Sequence, residues 1–304
     1  DIGAITLTGT TVSLANNLTA NASNLDINGN VSLAAAVSLA TSGGTVDVSG
    51  TIDSTANGDF ALTISSGAGS ITLHDAVGSA TNGEVGTFKV NAEGGTGTIS
   101  IEDIGGAAET LIGSEVTTTL TLTGTTYTTT DDAEYEGEGI TFSGTNPTVT
   151  ATGKNIDFKD AADNIVLGNS SNLTVNSTGA GSISFATDII GTAEGAATDI
   201  TVAAGSGNVT VFGIGHATND INNISLTGET VNLKGNVVTG NWTNDSNEEQ
   251  IGSFVIGEGS EVELFGEAIT IDTDNASGAG GAVTFPETVE ADHENATLTI
   301  TSGE

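Results

Sequence analysis

The sequence predicts an all-β fold, a parallel β-solenoid of degenerate repeats, on three observations. A short phrase is repeated, as Leu7-Thr8-Gly9-Thr10-Thr11-Val12, Leu122-Thr123-Gly124-Thr125-Thr126-Tyr127 and Leu226-Thr227-Gly228-Glu229-Thr230-Val231. A second phrase is longer and recurs between these copies with its parts in the same order. Throughout, short runs of apolar/polar alternation are stopped by Gly, Asn or Asp, and the period is two rather than 3.6.

The elements follow in chain order. Ile5-Thr6-Leu7, Val12-Ser13-Leu14, Leu25-Asp26-Ile27, Val31-Ser32-Leu33, Val37-Ser38-Leu39 and Val46-Asp47-Val48 are each a minimal strand with its apolar side chains on one face. The second phrase supplies Leu62-Thr63-Ile64, Gly67-Ala68-Gly69-Ser70-Ile71-Thr72-Leu73, Phe88-Lys89-Val90 and Thr98-Ile99-Ser100-Ile101. Its echo is Leu173-Thr174-Val175, Gly179-Ala180-Gly181-Ser182-Ile183-Ser184-Phe185, Ile200-Thr201-Val202 and Asn208-Val209-Thr210-Val211, and a degenerate third copy runs from Gly278 to Phe285. Strands this short bury a face by coiling, each coil stacking on the one before, and three faces per coil imply roughly 20 to 25 residues per turn. The domain expectation is one continuous solenoid over 1–304, with long internal repeats starting near 5, 120 and 224.

Tandem β-sandwich domains of about 100 residues also fit the long period and remain the alternative. Sandwich strands usually run to about 5 or 6 residues, longer than these triplets. The chain holds one Trp, two Tyr and nine Phe, few for sandwich cores, whereas the interior of a solenoid is filled by Val, Ile, Leu and Ala.

Four Lys and no Arg stand against 39 acidic residues, a formal net charge of −35. That field excludes electrostatic binding of nucleic acid or of an anionic membrane. The acid reads as a solvated coat over an ordered β core, with cation screening as a condition of stability. No apolar run is long enough for a membrane span. Cys and Met are both absent and the first residue is Asp1, so no disulfide framework or signal peptide is legible and a processed chain or excised segment is expected. About a dozen Asn-X-Ser/Thr sequons occur, including Asn17, Asn21, Asn172, Asn208, Asn241 and Asn295, and they read as turn and ladder chemistry in an Asn- and Thr-rich chain. Neither end carries an obvious polar cap, which leaves two expectations: a stretch of a longer solenoid, or ends buried against identical neighbours in a filament or lattice.

Gly67-Ala68-Gly69-Ser70-Ile71-Thr72-Leu73, residues 94–101 and Leu7-Thr8-Gly9-Thr10-Thr11-Val12 resemble repeats of the large secreted β-helical exoproteins typified by filamentous haemagglutinin. The resemblance covers nearly the whole chain and lies in its repeat grammar. It implies a right-handed parallel β-helix, located extracellularly at a bacterial surface and used as adhesin, stalk, sheath or surface-layer component. It brings no catalytic residues to transfer, and no secretion domain of that family is present in these residues.

Parallel β-helices also include polysaccharide lyases and glycosidases, so fold alone does not decide. The lyases of this fold rely on a basic side chain, commonly Arg, and this chain has none, while Lys89, Lys154, Lys159 and Lys234 share no repeat position. A glycosidase needs two carboxylates about 5 to 10 Å apart. Asp131-Asp132 and Gly215-His216 are the nearest candidates, and neither forms a convincing pair. His74, His216 and His293 lack zinc-ligand spacing and read as exposed loop residues. The expectation is no catalysis.

Calcium is the metal and the cofactor to consider. Asp132, Glu134, Glu136 and Glu138 alternate along the sequence, which sets four carboxylates on one side of a strand and calls for a counterion. Asp272 and Asp274 form a second oxygen-rich turn, and Asp245 with Glu248 and Glu249 a third. The competing reading is a solvated acidic face. Thr117–Thr130 is rich in threonine, which suits an aligned hydroxyl face for glycan or ice but also simple strand packing.

The sequence therefore points to a structural extracellular protein, a self-assembling filament, sheath or surface-layer subunit or a rigid stalk. Its expected partner is itself, in a head-to-tail or lateral homopolymer. An adhesin passenger that binds glycan or a cell surface is the alternative, for which Trp242 beside Asn241 and Thr243 offers slender support, and a β-helix polysaccharide hydrolase is the third reading.

Overall fold

Alternating triplets become strands because each places two β-branched or Leu side chains on one face of a pleat and a polar residue on the other. In the computed structural model, Leu25-Asp26-Ile27, Val46-Asp47-Val48 and Ile71-Thr72-Leu73 have both flanking residues buried and the middle one partly exposed. The structure describes residues 3–56, 58–79, 83–91, 97–113, 119–160, 163–168, 171–192, 198–243, 249–273, 280–294, 296–302. The chain is all-β and its strands pair in parallel as a β-solenoid, not as antiparallel sandwiches. It divides into two compact units, Asp1–Gly144 with Lys159–Asp163, and Thr145–Phe158 with Asn164–Glu304.

In the first unit one column of inward residues runs Ile5, Leu25, Val46, Ile71, Ile99, Leu120, Ile140, each the register partner of the next. A second column stacks Val37, Leu62 and Phe88, and a third links Val31, Ile52, Val77 and Ile104. The coil spans 20 residues from Ile5 to Leu25 and 28 from Ile71 to Ile99, so the expected 20 to 25 is exceeded where corners lengthen. Several strands are also longer than triplets. Ile5–Leu14 has 10 residues and turns a corner at the register shift between Thr8 and Thr11.

The second unit repeats the design. Leu173, Ile200, Ile224, Phe254 and Val283 form one column, and Ile183, Val209, Val231, Val262 and Val289 another. A third runs Ile165, Ile189, Ile214, Val237. An antiparallel pair of strands, Asn241–Thr243 with Glu249–Ile251, is inserted in the coil that follows Val237. It makes the offset from Leu226 to its partner Ile256 30 residues.

Both repeated phrases have a structural meaning. Leu62-Thr63-Ile64 stacks on Phe88-Lys89-Val90 and Ile71-Thr72-Leu73 on Ile99-Ser100-Ile101. The echo does the same, Leu173-Thr174-Val175 on Ile200-Thr201-Val202 and Ile183-Ser184 on Val209-Thr210. The long phrase is thus two adjacent faces over two consecutive coils. The short phrase is a corner, as at Leu122–Tyr127, where Asp103 Oδ1 accepts from Thr125 N at 2.6 Å and Thr126 N at 2.7 Å, and Gly124 N donates to the Tyr127 hydroxyl at 2.9 Å.

Tyr127 and Tyr135 are both 0% exposed, and burial pushes both phenols well above the ordinary tyrosine value. Because the folded pKa is raised, the stability they contribute is fully present below the unfolded value of about 10 and is lost as pH climbs above it. The expected loss is about 1.4 kcal/mol per tyrosine for each pH unit above 10. These are the two tyrosines of the chain, so an absorbance titration at tyrosinate wavelengths reads them cleanly. No tyrosinate signal is expected until circular dichroism reports unfolding, and titration near pH 10 of the folded protein overturns the assignment.

Candidate functional site

The acidic run begins with a turn. Asp132 N donates to Asp131 Oδ1 at 3.0 Å, and the strand that follows is Ala133–Gly137. Ala133, Tyr135 and Gly137 point inward while Glu134 and Glu136 stand on the outer face. Asp132 and Glu138 flank the strand and are exposed, so two of the four carboxylates lie on the strand itself. The counterion at Glu134 comes from the chain: Lys159 Nζ lies 2.6 Å from Glu134 Oε2. Both side chains are well solvated, so such a pair contributes at most about 1 kcal/mol.

Asp272 ends the strand Ala268–Asp272, where its carbonyl accepts from Thr239 N at 2.9 Å. Asp274, Asp245 and Glu248 lie outside the described residues, as does the side chain of Glu249. Among the described residues no group of three or more His, Asp or Glu is arranged to hold a metal ion.

The outer faces carry ladders. In the first unit Thr6, Asp26, Asp47, Thr72, Ser100, Thr121 and Thr141 are successive register partners on one face. Asp26 and Asp47 are thereby stacked as like charges about one strand spacing apart, roughly 4.8 Å, and His74 Nε2 lies 3.1 Å from Asp47 Oδ2. In the second unit the corresponding ladder is Asp157, Ser184, Thr210, Asn232, Glu263 and Glu290. The threonines expected as a hydroxyl face are thus partly realised: Thr121 lies between Ser100 and Thr141, and Thr117 and Thr118 lie outside the described residues.

Of the sequon asparagines, Asn17 and Asn172 act as ladder groups, and Asn146, which Pro147 keeps from being a sequon, does the same. Asn146 Oδ1 accepts from Asn172 N at 3.2 Å, Asn172 Oδ1 from Asp199 N at 3.0 Å, and Asp199 Oδ1 from Asn223 N at 3.0 Å. In the first unit Asn17 Oδ1 takes Ser38 N at 2.8 Å in the same manner. These bonds satisfy corner amides that strand pairing leaves free.

His74, His216 and His293 are all exposed. His293 lines an open groove of about 710 Å³ with Glu267, Ala268, Asp292 and Glu294. A second open groove, of about 690 Å³, is bounded by Val255–Gly259 with Thr284, Pro286 and Glu287.

Sequence reasoning missed the pairing of Lys159 with Glu134, whose signal is a separation of 25 residues, one coil. It also missed a buried polar corner in the second unit, where Asp220, Asn222, Thr198 and Thr239 are each 0% or 1% exposed. Three consecutive residues, Asp220-Ile221-Asn222, are buried there, so a period-two reading has no pattern to follow. Comparison with protein-family models, with curated proteins and with solved structures finds no match to this chain.

Proposed function

We propose that this chain is a structural extracellular protein, a rigid β-solenoid that builds a filament, stalk, sheath or surface layer and performs no catalysis. The observation that carries this reading is the ladder architecture of both units: like stacks on like inside, and hydroxyls, amides and carboxylates stack outside. Parallel backbone bonds at about 4.8 Å per coil make a stiff element, and a coat of net charge −35 keeps neighbouring elements apart until cations screen it. The repeat grammar shared with the filamentous-haemagglutinin-like exoproteins supports a bacterial surface location.

The proposed partner is a second copy. Calcium enters as the cation that bridges or screens the outer carboxylates. An adhesin reading is favoured by one feature, the aligned hydroxyls of Thr72, Ser100, Thr121 and Thr141.

Negative-stain electron microscopy tests this, with the protein as isolated, after EDTA and after calcium is restored. Filaments or sheets with a regular axial repeat, lost in EDTA and regained with calcium, are the expected result. Isolated particles under all three conditions refute assembly and move the weight to a glycan-binding adhesin, which a glycan array then examines.

A further inference from the structure

The acidic coat is not the only place where oxygen ligands gather; a second set lies inside the second unit, at the corner that precedes strand Ile224–Thr227. Ile200 pairs with Ile224, so Thr198 and Asn222, each two residues earlier, are stacked in adjacent coils, and Asn222 N donates to Thr198 O at 2.7 Å. Ile221 bridges to Thr239 in the following coil, and Gly240 N donates to Ile221 O at 2.9 Å. Three coils thus bring Thr198, Asp220, Asn222 and Thr239 to one buried corner, none more than 1% exposed.

Within the chain, Asn222 Oδ1 and Nδ2, Thr198 Oγ1 and Thr239 Oγ1 have no hydrogen-bond partner. A buried polar group without a partner costs about 1–3 kcal/mol, so several at one corner call for a guest. The walls are backbone. A Cβ on Gly240 would come within 1.9 Å of Asp220 Oδ2, and one on Gly252 within 2.4 Å of Asn222 O and 2.9 Å of Thr239 Cβ. Both positions must be glycine for the carboxylate and the threonine to sit where they do.

We propose that this corner is an internal site for one hard cation, held by the Asp220 carboxylate, Asn222 Oδ1 and the hydroxyls of Thr198 and Thr239. Carboxylate, amide and hydroxyl oxygens without nitrogen or sulfur ligands suit Ca²⁺ better than a transition metal. A cation there ties three successive coils together. The site is separate from the outer carboxylates and does not depend on filament formation.

The test is calcium binding by the full chain after EDTA treatment, in about 0.15 M salt to suppress the coat, by titration calorimetry and thermal unfolding. Wild type is expected to show one saturable site. Its Tm should rise by about 5–10 °C at calcium about 100-fold above Kd. Asn222→Leu, which replaces the unpartnered amide with an apolar side chain of similar size, is expected to weaken that site at least tenfold and to be no less stable than calcium-free wild type. Thr198→Val serves the same purpose if Asn222→Leu does not fold. No saturable site in wild type overturns the proposal, as does identical calcium binding by wild type and variants, which assigns the binding to the coat. Wild type that binds no calcium and exceeds Asn222→Leu in stability also overturns it, and marks the corner as a site for ordered water.

Discussion

Phe185→Ala is expected to cost the second unit about 3–5 kcal/mol. Phe185 and Phe158 are register partners in adjacent coils, their rings parallel to within 5° with centroids 4.8 Å apart. Both are at most 1% exposed. Truncation removes a large buried ring and leaves a cavity that rigid backbone ladders above and below cannot collapse to fill. Phe185→Leu, which keeps most of the volume, should lose far less, on the order of 1 kcal/mol. Urea unfolding gives the totals. Because each coil touches only its neighbours, hydrogen exchange should show protection falling first at Ile183–Phe185 and Val209–Val211. A loss under about 1 kcal/mol for Phe185→Ala would show that the ring pair is not part of a closed core.

The fold was legible because a solenoid has one rule, apolar in and polar out at a period of two, and the triplets Leu25–Ile27, Val46–Val48 and Ile71–Leu73 obey it without exception. The corners were less legible. Strand direction changes there through glycines, bulges and side-chain bonds such as Asp103 to Thr125 and Thr126, and these carry no hydrophobic period. The pair of strands after Val237 is an insertion that stacking neither requires nor forbids.

The site was legible only as composition. Alternation correctly set Glu134 and Glu136 on one outer face, but it could not show that Lys159 arrives one coil later to neutralise Glu134. Partners across coils are fixed by the length of the intervening corners, which varies. For the same reason sequence spacing could not bring Thr198, Asn222 and Thr239 together, since their neighbours belong to different coils.

The repeated Gly-Ala-Gly-Ser phrase makes the sharpest prediction about a single atom. Gly44, Gly69 and Gly97 follow one another at a corner of successive coils in the first unit. A Cβ on Gly69 would lie 1.9 Å from the Gly44 carbonyl oxygen, and one on Gly97 would lie 2.1 Å from that of Gly69. The obstruction is backbone in each case, so no side chain can move aside, and relief requires the coils to separate and their parallel bonds to stretch. Gly69→Ala should therefore destabilise the first unit by about 3 kcal/mol or more, at or above the top of the usual overpacking range, although it adds one methyl group. Gly3→Ala is the control, since a Cβ there meets nothing within 4 Å, and it should be neutral. Thermal unfolding of the two variants beside wild type decides the matter. Equal Tm values would mean that the corner column is loose enough to admit a side chain, and the recurrence of its glycines would need another physical cause.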